Sequence, residues 1–259
     1  MMDTAFLLEQ ASGIVREAGK LLLCREMAAQ VREKGKTDFV TAVDTEVQEQ
    51  ICTRLRELDD SIQLMSEEQD NTGLHEQQPV WILDPVDGTT NLIHSFCHSA
   101  VSMALAADGK VLLGMIYDPY RDELFTAASG KGAFCNGKPI RVSKTQFLAD
   151  SLCAVGTNPG WREKSEQAFD RMKNIYHRCH DVRLVGAASI ELCYVACGRL
   201  DGYVEHGLKP WDYAAGKLLV EEAGGQVTAF YGEKVSLSMP GCDIMATNGA
   251  IHKELIPLL

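Results

Sequence analysis

Apolar residues recur at three- and four-residue spacing from Phe6 through Leu7, Ala11, Ile14, Val15, Ala18, Leu21 and Leu22. That rhythm predicts an amphipathic helix with a wide apolar stripe. It returns at Val47, Ile51, Leu55 and Leu58, and Thr41-Ala-Val-Asp44 just ahead has the form of a capping box, in which two side chains satisfy helix-end N–H groups. The period then changes to two, or to short apolar runs: Ile62/Leu64, Val80-Trp-Ile-Leu83, Val101/Met103/Leu105, Val111 to Ile116 and Leu124 to Ala127. Asp108-Gly109 and Asn136-Gly137 have the chemistry of two-residue hairpin turns. The first half reads as α+β, helices with a mostly antiparallel sheet.

Beyond about residue 145 the rhythm becomes strand, helix, strand, helix. Leu152 to Val155, Val182 to Val185, Leu200 to Val204, Val227 to Phe230 and Ile244 to Thr247 read as strands. Helical patterns lie between them at Glu163 to His177, Ala188 to Cys197 and Tyr213 to Ala223, the last closed by Gly224-Gly225. The expectation is an α/β protein with an α+β half over 1–145 and an α/β half over 146–259, joined through Arg141 to Asp150 and facing each other across a cleft.

Composition narrows the function classes. With 259 residues, 46% of them hydrophobic and 24% charged, the chain can bury a sizeable core and is not disordered. Lys and Arg number 25 against 36 Asp and Glu, a net charge of −11, which matches nucleic-acid phosphates and anionic membranes poorly. Neither direct nucleic-acid contact nor membrane association is expected. Nine scattered cysteines, with no C-x-x-C, suit reduced thiols rather than a disulfide framework or a zinc site; Cys193 and Cys197 read as small buried residues. Met-Met-Asp-Thr at the start lacks the basic run of a secretory leader, and the apolar runs fall short of the ~20 residues that cross a bilayer. A soluble, cytoplasmic protein is expected.

The informative acids follow the apolar runs. Asp84-Pro-Val-Asp-Gly-Thr-Thr-Asn91 comes directly after Val80 to Leu83, Ser66-Glu67-Glu68 ends Ile62 to Met65, and Trp211-Asp212 follows the run through Val204. Carboxylates that converge repel one another unless divalent cations neutralise them, and an all-oxygen donor set suits Mg²⁺ or Mn²⁺ rather than zinc. His94 and His98, four apart, lack a third zinc ligand and read as structural or rim residues, and Trp211 reads as packing. No G-x-S-x-G and no Walker sequence occurs, which argues against covalent serine catalysis and kinase chemistry.

Asp84 to Asn91 resembles the signature of the inositol monophosphatase family, within the wider magnesium-dependent, lithium-sensitive phosphatases. Five further segments are similar to that family in order: Asp38 to Asp44, Ser66-Glu67-Glu68, Gly130 to Gly137, Arg183 to Ser189, and Trp211 to Gly216. The resemblance spans nearly the whole chain and implies an α-β-α-β-α sandwich, a homodimer, and a Mg²⁺-dependent phosphate monoester hydrolase with two or three ions. It implies that Glu67, Asp84 and the carbonyl of Val86 hold one ion, that Asp84, Asp87 and Asp212 hold a second, and that a weaker third lies near Glu67. Thr89 would hold the attacking water, Glu67 would orient or deprotonate it, and Asp44 would orient the Thr89 hydroxyl. The N–H groups of Gly88 and Thr89 would face the phosphate. Asp44 can equally serve only to close the capping box begun by Thr41.

For the alcohol half of the ester, the resemblance implies that Glu205, at the end of a strand Leu200 to Glu205, receives a hydroxyl. Asp87, Asp212 and the backbone around Gly186 and Ala187 complete the pocket. Two departures stand out: Ala187 replaces the Ser or Thr of many members, and Lys209 places a cation near the mouth. Inositol-1-phosphate is the first substrate expected, ahead of fructose-1,6-bisphosphate, histidinol phosphate, adenosine 3′,5′-bisphosphate and NADP. The alternative is a regulatory protein-binding module with incidental phosphatase activity.

Overall fold

The computed structural model describes residues 3–35, 38–75, 78–237 and 241–259. Helix α1 (Thr4–Gly19) starts where the Asp3 carboxylate accepts the N–H of Phe6 at 3.1 Å, and it buries Leu7, Ala11, Ile14, Val15 and Ala18. A 3₁₀ turn (Lys20–Leu23) and the short α2 (Arg25–Ala28) follow. Strands β1 (Val31–Gly35) and β2 (Asp38–Thr41) pair as an antiparallel ribbon that the apolar pattern did not predict, because Val31-Arg-Glu-Lys-Gly has no alternation to read. The ribbon leads into α3 (Ala42–Leu58), whose apolar stripe Val43, Val47, Ile51 and Leu55 is buried and whose capping box is present as expected.

Next come β3 (Gln63–Ser66), β4 (Val80–Asp87), α4 (Thr89–Ile93), β5 (Ala100–Ala107), β6 (Lys110–Asp118), β7 (Glu123–Ala128), β8 (Gly132–Cys135) and β9 (Lys138–Pro139). The seven strands form one sheet in sequence order, antiparallel throughout except for the parallel β3–β4 pair. Asp108-Gly109 and Asn136-Gly137 both sit at positive φ between paired strands, which is the backbone a two-residue hairpin needs to match strand twist.

The rest of the chain is β10 (Leu152–Val155), α5 (Ser165–Tyr176), β11 (Asp181–Arg183), α6 (Ala188–Ala196), β12 (Gly202–Leu208), α7 (Pro210–Glu222), β13 (Gln226–Thr228), β14 (Cys242–Thr247) and α8 (His252–Leu255). The strands form a mixed sheet in the order β11-β10-β12-β14-β13, parallel among β11, β10 and β12. Several boundaries differ from the sequence reading. Leu184 and Val185 have left the sheet, and β12 continues past Glu205 to Leu208, so Glu205 is a mid-strand residue. Helix α5 is also shorter than the 163–177 pattern, since Pro159–Lys164 forms a separate 3₁₀ segment.

Alternation along the strands builds five layers. Val101, Met103 and Leu105 pack with α1 and α3, whereas Ala100, Ala104 and Ala106 of the same strand join α6 and α7. In the second sheet Tyr203, Ile244 and Ala246 face α6 and α7, while Val204, Met245 and Val155 pack with Ile175 of α5 and Leu255 of α8. The α-β-α-β-α sandwich follows, with α6 and α7 shared between the sheets. Cys193 and Trp211 lie in that central layer as packing residues.

Candidate active site

The end of β4 is bent by one extra residue. Asp84 pairs with Ser102 and Asp87 with Ala100, so three steps on β4 match two on β5. In a regular strand, positions three apart point to opposite faces; the bulge at Pro85-Val86 returns Asp87 to the face of Asp84. Pro85 suits this position because it has no N–H to lose from the ladder. Val86 turns to the α1–α3 side, and both aspartates point at the first turns of α6 and α7.

Asp212 sits on the first turn of α7, within a helix rather than at a strand end, and accepts the N–H of Lys209 at 2.7 Å. Half-buried Glu67 follows β3, where its N–H bonds the carbonyl of Leu83. These four acids are close enough to perturb one another. Burial, then Glu67, Asp87, Asp212 and Asp44, push the Asp84 carboxyl far above its ordinary range. Burial and Glu67 raise Asp212, and burial raises Asp87 to about 6 against the pull of Ser189 donors. Among the described residues no group of three or more acidic, histidine or cysteine side chains is arranged, as it stands, to hold a metal ion. Asp84, Asp87 and Asp212 each rest an oxygen on a backbone N–H, and carboxylates retain further lone pairs. The donor set is oxygen only, mostly buried and mutually repelling, which fits a hard divalent cation.

Asp44 makes the contacts that both of its readings require. Its Oδ2 accepts the N–H and hydroxyl of Thr41 at 2.7 and 2.5 Å, closing the α3 cap, and its Oδ1 faces the Thr89 hydroxyl at 3.2 Å. Thr89 Oγ1 also lies 3.0 Å from the carbonyl of Val86. Gly88 precedes α4 at φ 84°, and a Cβ there would stand 3.0 Å from the carbonyl oxygen of His98, so any side chain at this turn is strained. Buried His98 packs edge-on to Tyr194, and burial lowers its pKa to about 4, whereas His94 is exposed beyond α4.

Asp87 also caps α6 from 102 residues away. Its Oδ2 accepts the N–H and hydroxyl of Ser189 at 2.7 and 2.5 Å. Ala187 holds the N-cap position and offers no side-chain acceptor, so the acid from β4 supplies it. The sequence reading quoted Ser189 within a motif but assigned it no role; the only local signal was a helix start lacking its own cap. Asn91 completes the junction, donating through Nδ2 to the carbonyls of His98 and Val185 at 2.9 Å and Gly186 at 3.2 Å. Gly186 at φ 83° and buried Ala187 therefore stand directly across from Gly88. Ser189→Ala is expected to cost about 1 kcal/mol, read as a melting-temperature fall of about 2–4 °C.

Glu205 faces the same space from β12, with β12 bulging just after it between Glu205 and Leu208. It is 8% exposed, and burial raises its pKa to about 7 against the donors of Tyr203 and Asn158, with Asp87 adding to the rise.

Residues 3–259 match the profile described as the inositol monophosphatase family. The chain belongs to the inositol monophosphatase family. Its curated relatives within that family include the Nus factor SuhB of Escherichia coli (strain K12), 39% identical over 205 residues, or 79% of this chain and 77% of that protein. The inositol-1-monophosphatase of Synechocystis sp. is 39% identical over 227 residues, 87% of this chain and 78% of that protein. The solved inositol monophosphatase of Anabaena (Nostoc) sp. PCC 7120 has the same fold, with a TM-score of 0.89 at 34% identity over 99% of this chain and 96% of that one. Membership makes this inositol monophosphatase relative a phosphatase, of a family that is generally metal-dependent. No helix among the described residues is long and apolar enough to cross a membrane.

Proposed function

We propose that the chain hydrolyses phosphate monoesters of polyols, inositol-1-phosphate first, with Mg²⁺ and with Mn²⁺ as a substitute. The observation that carries this reading is the bulge in β4, which sets Asp84 and Asp87 on one face with Asp212 and Glu67 beside them. Glu67, Asp84 and the Val86 carbonyl would hold one ion, Asp84, Asp87 and Asp212 a second, and Glu67 a weaker third. Bound there, the cations supply positive charge to the attacking and leaving oxygens.

The remaining roles belong to the protein's own groups. A hydroxyl has one proton, and when Thr89 points it at Asp44 in a hydrogen bond its lone pairs are left to accept a hydrogen bond from the attacking water. Glu67 orients or deprotonates that water. The N–H groups of Gly88 and Thr89 receive phosphate oxygens at the start of α4. Glu205, Asp87, Asp212 and the Gly186-Ala187 backbone receive the alcohol, with Glu205 accepting a ring hydroxyl.

Phosphate release tests this across inositol-1-phosphate, fructose-1,6-bisphosphate, histidinol phosphate, adenosine 3′,5′-bisphosphate and NADP⁺, each with and without Mg²⁺. The expected result is turnover only with Mg²⁺ and a preference of about tenfold or more in kcat/KM for inositol-1-phosphate. A higher value for another ester reassigns the substrate. The name of the E. coli relative favours a second reading, a regulatory protein-binding module; at a net charge of −11 its partner would be a protein. Absence of turnover on every ester, with a Mg²⁺-dependent melting shift intact, would favour that reading.

A further inference from the structure

Both oxygens of the buried Glu205 carboxylate carry a donor from the protein. The N–H of Asn158 donates to Oε1 at 2.8 Å, and the hydroxyl of Tyr203 donates to Oε2. Tyr203 is fully buried two residues earlier on β12 and so shares the face of Glu205. Asn158 comes from the segment after β10 and commits every polar group to this junction. Its Nδ2 donates to the carbonyls of His206 and Gly207 at 3.1 and 3.2 Å, its Oδ1 accepts the N–H of Gly160 at 3.2 Å, and its carbonyl accepts the N–H of Trp161 at 2.9 Å. It does so at φ 43°, a left-handed backbone that asparagine tolerates better than most residues. Gly156 lies against the same carboxylate, where any Cβ would overlap it.

A glutamate has three rotatable side-chain bonds, and burial favours its neutral, hydrogen-donating form. Donors on both oxygens act against each tendency: they fix the rotamer and they favour the charged, acceptor-only form. The remaining lone pairs then accept from whatever enters the space beside Asp87. We propose that Tyr203 and Asn158 are positioning residues that hold Glu205 as a fixed hydrogen-bond acceptor, so that the site selects esters by a hydroxyl on the leaving alcohol. The inference rests on the reading above in which Glu205 receives such a hydroxyl, and it extends that reading to two residues that do not touch substrate.

The test uses the full-length protein with Mg²⁺, the variants Tyr203→Phe, Asn158→Gly and Glu205→Gln, and two esters: inositol-1-phosphate and p-nitrophenyl phosphate, whose leaving group has no further hydroxyl. Tyr203→Phe is close to isosteric, and Asn158→Gly keeps the N–H and accommodates φ 43° while removing the side-chain staple. Each is expected to raise KM for inositol-1-phosphate about tenfold, with kcat within about twofold and p-nitrophenyl phosphate kinetics unchanged. A KM unmoved in both variants while Glu205→Gln raises it would overturn the positioning role and leave the Glu205 reading standing. No effect of Glu205→Gln would overturn the Glu205 reading itself. Equal losses on both esters, or a variant that melts below the assay temperature while the other leaves KM unmoved, would also count against the proposal.

Discussion

Asp84→Asn is expected to lower turnover by about a thousandfold or more and, at the same time, to make the metal-free protein more resistant to heat at pH 8. The first effect follows from the place of Asp84 between both proposed cation positions, since about 4 kcal/mol of lost transition-state stabilisation corresponds to that factor. The second follows from its surroundings. Asp84 is 2% exposed, and burial, Glu67, Asp87, Asp212 and Asp44 all raise its pKa. A carboxyl whose folded pKa lies above its unfolded value favours folding when protonated, and that contribution is lost as pH rises toward the folded pKa. Above the ordinary carboxylate range the unfolded chain ionises this acid freely while its buried, acid-lined site in the metal-free native state resists the charge, and asparagine removes that penalty.

The melting-temperature gain of the variant should shrink as pH falls toward the ordinary carboxylate range, where the unfolded chain binds the same proton. His98, His206 and His252, whose pKa values burial lowers, act in the opposite sense across this range but are common to both proteins and cancel in the difference. Thermal melts in EDTA and in Mg²⁺ at pH 5 and 8, beside phosphate release, measure all of this. The wild type should show a Mg²⁺ shift that grows with pH, and the variant should lose most of it. Residual activity within about tenfold of wild type would remove Asp84 from the cation site.

Thr89→Val should reduce kcat by about 100- to 1,000-fold with KM changed only a few-fold, because it deletes the hydroxyl proposed to hold the attacking water and keeps the side-chain shape. Asp44→Asn should reduce kcat by about 10- to 100-fold for a different reason. Asparagine can still accept the Thr41 N–H, but one of its two side-chain ends is a donor and cannot accept from both Thr41 and Thr89. Thr89 would then turn its proton to the Val86 carbonyl, 3.0 Å away. Because the aspartate acts through the threonine, the double variant should be no slower than Thr89→Val alone. Multiplying losses would show that Asp44 acts independently. Asp44→Asn should also cost about 1 kcal/mol of stability through the weakened cap, visible as a lower melting temperature.

Local rules carried most of the elements. The stripe from Leu7 to Ala18, the capping box at Thr41 and Asp44, and the Asp-Gly and Asn-Gly turns each depend on residues within a few positions of one another, so periodicity and turn chemistry suffice to read them. The charged β1–β2 ribbon was not legible, since its pairing with itself leaves no apolar alternation. The aspartate-rich segment after Val80 to Leu83 likewise stood out from its neighbours by residue type alone.

The sequence by itself determined the order of the main helices and strands, the two kinds of sheet and the segment that carries the acids. Only the tertiary structure decided that a bulge turns Asp84 and Asp87 to one face, that Asp87 caps a helix whose own N-cap residue is Ala187, and that Glu205 is held by Tyr203 and Asn158 in mid-strand. The physical reason is range. Helix and turn preferences act over a few residues, whereas a buried carboxylate takes its partners from whatever the packing of α6, α7 and the two sheets brings within hydrogen-bond reach, 102 residues away in the case of Asp87 and Ser189.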